Sequence, residues 1–99
     1  MDIKVNALII AVEDSVAVAI TELKAGDRAA FKVEEEIKTI DIVQDIPIYH
    51  KFSMVNVKKD ELVYKYGQVI GKATCDIKAG EHVHTHNIVS ASDALALAE

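Results

Sequence analysis

Three of the chain's four histidines fall within five residues, His82-Val83-His84-Thr85-His86, the densest chemistry in the sequence. Imidazole exchanges a proton near neutral pH and ligates divalent metals through either ring nitrogen. A β-strand throws successive side chains to opposite faces, so the alternation predicts three imidazoles on one face. The same pattern also suits a solvated polar face above a buried Val83, and the triplet alone does not choose between the two. Its neighbours favour a site: Gly80-Glu81 predicts a tight turn just before it, and the Asn87 amide just after it can hold a hydroxylated ligand. The spacing meets no rule for a structural zinc site, since there is no cysteine pair and no second ligand cluster. A metal here, with His84 and His86 as candidate ligands, would be open and catalytic in character or completed by another protein.

Composition narrows the class. Ninety-nine residues allow one domain with its own core, but leave little room for a scaffold and a complete active site together. The net charge of −5 and acidic runs such as Glu34-Glu35-Glu36 argue against nucleic acid, which is bound through clustered Lys and Arg. The acidic triplet itself reads as a solvated turn or strand end. No apolar run approaches the roughly 20 residues needed to span a bilayer. The opening Met-Asp-Ile-Lys-Val-Asn has no signal-peptide pattern, so the expectation is a soluble, cytoplasmic protein without membrane contact. Cys75 is the only cysteine, which excludes an internal disulfide and suits a reducing compartment; it reads as a small core residue.

The elements that must carry these residues read as short strands. Ala7 to Val12 is densely apolar, and Val16, Val18 and Ile20 alternate with small residues. Further segments are Phe31 to Val33, Ile37 to Val43, Ile46 to His50, Val55 to Val57, Glu61 to Lys65 and Gln68 to Thr74, with Pro47 marking a strand start or edge. Turns are expected at Ala25-Gly26-Asp27, Lys59-Asp60 and Ala79-Gly80-Glu81. Gly67 and Gly71 serve turns or close packing, and Tyr64 and Tyr66 read as core or contact residues. Only Ser90 to Glu99 looks helical, with Ser92 as N-cap. The division is a folded domain over 1–89 and a tail over 90–99, either a short helix or flexible. An internal repeat supports a folded ribbon: Ala19-Ile-Thr-Glu-Leu-Lys-Ala-Gly-Asp27 aligns with Ala73-Thr-Cys-Asp-Ile-Lys-Ala-Gly-Glu81, and Val57-Lys-Lys-Asp-Glu61 is a weaker copy. The fold class is all-β, a compact ribbon of short strands closing on themselves.

Ile46-Pro47 with His50-Lys51, then Tyr64-Lys65-Tyr66-Gly67, Ile70-Gly71-Lys72-Ala73 and Gly80-Glu81-His82-Val83-His84-Thr85-His86-Asn87 resemble the small SAF domain of the altronate and galactarate dehydratase family. The resemblance covers about Ala7 to Asn87 and implies a β-clip fold. It also implies a lyase acting on small anionic hydroxy acids, with a divalent metal such as Fe(II) held mainly by a large catalytic subunit. A chain of this size resembles the split-off small-subunit form, as in the sulfolactate sulfo-lyases. On that reading His84 and His86 are catalytic, and His50, Lys51, Lys65, His82 and Asn87 bind substrate along one wall of a shared pocket. A homo-oligomer is compatible with it. The other readings are a non-catalytic carbohydrate-binding or assembly module, and a self-sufficient metal enzyme.

Overall fold

Four turns of one design organise the chain. A computed structural model describes residues 4–9, 14–65 and 67–90. Each turn follows an aliphatic residue held in an isolated bridge, Leu23 with Ile46 and Val57 with Ile77. In each, the fourth residue donates its N–H to the first carbonyl: Asp27 to Lys24, His50 to Pro47, Glu61 to Lys58 and Glu81 to Lys78. The third residue is left-handed in all four, at φ 96° for Gly26, 67° for Tyr49, 75° for Asp60 and 89° for Gly80. Glycine takes that conformation without steric cost and Asp tolerates it, which is why the repeat is visible as Lys-Ala-Gly-acid. The acid also caps its own turn, since the side chains of Asp27, Glu61 and Glu81 accept from the N–H of the residue three before.

The strands between these turns are short. β1 (Ala7–Leu8), β2 (Val16–Ala19), β5 (Lys51–Ser53) and β8 (His82–Val83) form one antiparallel sheet in that order. β3 (Arg28–Val33) and β4 (Glu36–Asp41) form a hairpin turning at Glu34-Glu35, and β6 (Leu62–Lys65), β7 (Gln68–Ala73) and β9 (Ile88–Ser90) form a third sheet. Alternation along β2 sends Ala17 and Ala19 into one apolar cluster, with Leu23, Phe31, Ile42, Ile46 and Phe52, and Val16 into another, with Val57, Val63, Ile77 and Val83. The all-β expectation holds, and the folded ribbon with repeated turns is the β-clip architecture. Among the described residues no helix is long and apolar enough to cross a membrane.

Several expectations are corrected. Ile46 to His50 is a bridge residue followed by a turn, because Tyr49 reverses the chain and Pro47 has no N–H to give a ladder. Val55 to Val57 yields only the Val57 bridge, and of the segment expected from Ala7 to Val12, Ala7–Leu8 form β1, Ile9 is outside it and residues 10–12 lie outside the described residues. Cys75 is exposed rather than in the core: it stands on the bend after β7, while Ala73 and Ile77 on either side turn inward. Ser90 ends β9, and the expected helix after it lies outside the described residues, as does Tyr66. Gly71 does serve close packing, since a Cβ there would overlap the Val89 carbonyl oxygen.

Candidate functional site

The histidines converge, but not along a strand. β8 ends at Val83, and residues 84–87 form a turn in which the Asn87 and Ile88 N–H groups donate to the His84 carbonyl. The fourth histidine comes from the second repeated turn. There Pro47 stands where the other turns have lysine, and it has no N–H for an acid to cap. The acid position is thereby released, and His50 fills it. β5 pairs with β8 as Lys51↔Val83 and Phe52↔His82, so extending the register by one pair sets His50 opposite His84.

The resulting geometry is tight. His50 Nδ1 lies 2.9 Å from His82 Nε2. The ring centres of His50 and His84 are 4.8 Å apart, and His82 stacks on His84 at 5.8 Å with an 8° interplanar angle. One nitrogen from each of His50, His82 and His84 fits within 4.8 Å of the others. Two imidazole nitrogens on one ion at about 2.1 Å lie roughly 3.0–3.4 Å apart, so to share a metal the trio would draw together by more than about 1 Å at its widest and the His50–His82 hydrogen bond would give up its proton. Three imidazole nitrogens with His84 exposed make an open arrangement that could hold a divalent transition ion with positions left for other ligands. His86 is not one of the nitrogens within 4.8 Å of one another, although its ring centre lies 5.3 Å from that of His82.

Electrostatics reinforces the neutral form. Burial pushes the His82 pKa below the ordinary imidazole value, and the charges of His50, His86, His84 and Lys51 push it the same way. Burial also lowers Lys51, helped by the neighbouring Lys65. Lys51 pairs with Val83 and its side chain leaves the ribbon on the face opposite His82, yet its charge is felt there. Lys51 and Lys65 thus make a cationic pair on an acidic chain, and the charge of Lys51 reaches His82.

Asn87 is placed differently from a solvent-facing ligand. It is 3% exposed, its Oδ1 accepts from the His84 N–H at 3.0 Å and its Nδ2 donates to the His82 carbonyl at 2.7 Å. Two contributions escape sequence reading: Pro47, whose missing N–H releases position 50, and Gln44, whose Oε1 accepts from the His82 N–H at 3.0 Å. Pro47 carries a signal, the break in the Lys-x-x-acid pattern; Gln44 carries none.

Residues 5–91 match the altronate/galactarate dehydratase SAF domain. Altronate dehydratase of Escherichia coli is 41% identical over 85 residues, which is 86% of this chain and 15% of that enzyme. The Bacillus subtilis altronate dehydratase is 37% identical over 76 residues, 76% of this chain and 14% of that enzyme. The chain therefore spans about a seventh of the two dehydratases. With (2R)-sulfolactate sulfo-lyase subunit alpha of Chromohalobacter salexigens it shares 35% identity over 79 residues, 77% of this chain and 84% of that subunit. A ribbon with four equivalent turns, a histidine cluster grown from one of them and a match over nearly its whole length show that the chain belongs to the altronate/galactarate dehydratase SAF-domain family.

Proposed function

We propose that this chain is the small subunit of a hydroxy-acid lyase, of the altronate/galactarate dehydratase type, lending a histidine wall to a site shared with a large catalytic subunit. The observation that carries the reading is the gathering of three imidazole nitrogens within 4.8 Å. The reaction removes a proton from the carbon next to the carboxylate while the hydroxyl on the neighbouring carbon leaves with its electron pair, giving an enol that becomes a 2-keto acid. A divalent ion, Fe(II) in this reading and shared with the large subunit, would polarise a substrate oxygen from a position against His50, His82 and His84. A carboxylate set against Lys51 and Lys65 relieves the repulsion between those two cations, and this favours anionic substrates. His86, outside the trio and exposed, is the imidazole left to carry a proton to or from solvent. The exposed thiol of Cys75 suits a reducing cytoplasm.

A second substrate class has a specific observation behind it. The chain matches 84% of the length of a sulfo-lyase alpha subunit at 35% identity, which admits sulfite as the leaving group. The test is co-expression with a large lyase subunit of the same host, purified without oxygen and assayed on sugar acids for dehydration and on sulfolactate for sulfite. His86→Ala should lower turnover about 100-fold or more with metal content unchanged, and His84→Ala should lower metal content as well. Full activity in both variants would leave only an assembly or carbohydrate-binding role.

A further inference from the structure

The peptide that carries His82 and His84 is held by two side-chain amides from outside its own strand. Asn87 clamps it from below, accepting from the His84 N–H and donating to the His82 carbonyl while its own carbonyl takes the N–H of Thr74, the residue after β7, at 2.9 Å. Gln44 holds the other end of the same residue, accepting the His82 N–H at 3.0 Å. The loop that presents Gln44 is itself tied down, since the Val43 N–H donates to the Gly80 carbonyl at 3.1 Å. Both polar groups of the His82 backbone are thus bonded to side chains, at a strand end where ladder partners run out.

We propose that Gln44 and Asn87 are positioning residues that fix the backbone of His82 and His84, so that their rings stand gathered about His50, a short closure from a shared ion, before any ion arrives. This rests on the reading of the trio as a metal site. Ligand atoms must be held within about 0.5 Å of productive geometry, and at the end of this two-residue strand the two amides add to the His50–His82 ring contact the restraint that the ladder does not give the His82 backbone. Gln44 separates positioning from folding: its side chain is exposed and lies outside both apolar clusters.

The test is titration of the full chain with Co(II), followed by visible absorption, beside thermal unfolding of each variant. Gln44→Ala should weaken Co(II) binding about ten-fold, as loss of outer support does at other metal sites, with its unfolding midpoint unchanged. Gln44→Glu keeps the accepting oxygen and should bind at least as tightly as the wild type. Asn87→Asp keeps the bond from His84 but loses the donor to His82, and should also weaken binding; if it does not fold, the Gln44 pair decides. Wild-type affinity in Gln44→Ala, or failure of Gln44→Glu to retain it, overturns the positioning role. Absence of Co(II) binding by the wild type, or undiminished binding by His84→Ala, overturns instead the metal site on which the proposal rests.

Discussion

At the scale of the residue, His82 shows how a fold prepares an imidazole to act as a ligand. Its hydrogen bond to His50 needs a lone pair on one of the two rings, so both cannot be protonated at the facing nitrogens. Burial, by desolvation, and the charges of three neighbouring imidazoles and Lys51, by repulsion, disfavour its protonated form as well, which keeps it available as an electron-pair donor. A base whose pKa is lower in the folded than in the unfolded state binds fewer protons when folded, so the stability it confers is present above the unfolded value and falls as pH drops below it. The unfolding midpoint should therefore fall between about pH 7 and pH 5, spanning the ordinary imidazole value. In His82→Gln the fall should be smaller. Equal falls in the two proteins, measured by thermal melts across that range, would remove His82 as the cause.

At the scale of the element, the site is a departure from a repeated turn. Three turns use lysine, a left-handed residue and a capping acid; the second uses Pro47, Tyr49 and His50. Restoring the pattern with the double variant Pro47→Lys/His50→Glu gives residue 47 an N–H and residue 50 the carboxylate to cap it. The expected outcome is a protein that folds with an equal or higher melting temperature and loses its Co(II) site; retained binding would show that His50 is not a ligand. Gly80→Ala probes the opposite case, a turn that cannot change. Its φ of 89° is costly for any side chain, and a Cβ would overlap the Asp41 carbonyl oxygen, so the variant should lose at least about 1 kcal/mol in a denaturant melt. The same comparison explains how far the fold is legible in the chain. Lys-Ala-Gly-acid can be read because each residue answers a backbone need, and two full copies and one weaker copy are recognisable. The fourth is hidden because none of its turn residues matches, while Ile46 and Ile48 imitate a strand. The histidine triplet converges as its pattern suggests for His82 and His84, which the β5–β8 register sets by His50, while the turn after Val83 takes His86 out of the strand. Gln44 reaches His82 across 38 positions of sequence, a contact no local pattern encodes.

At the scale of the whole molecule, the core and the site meet across one pair of strands. Phe52 is fully buried in the first cluster and lies directly opposite His82, while Val83 next to it is buried in the second. Phe52→Ala should therefore cost about 3–5 kcal/mol through lost burial and the cavity left behind. Against a total of about 5–15 kcal/mol for a domain, that leaves the variant marginal. An ion that binds only the folded chain returns part of the loss: at a hundred times its dissociation constant the gain is about 2.7 kcal/mol. Phe52→Ala should then melt well below the wild type without metal, and recover much of the difference as Co(II) is added. The same titration in Phe52→Ala/His84→Ala should recover nothing, because the trio is broken while the cavity is unchanged. Equal recovery in the two would mean that the ion stabilises the fold from elsewhere, and the coupling of core to histidine cluster would be lost with it.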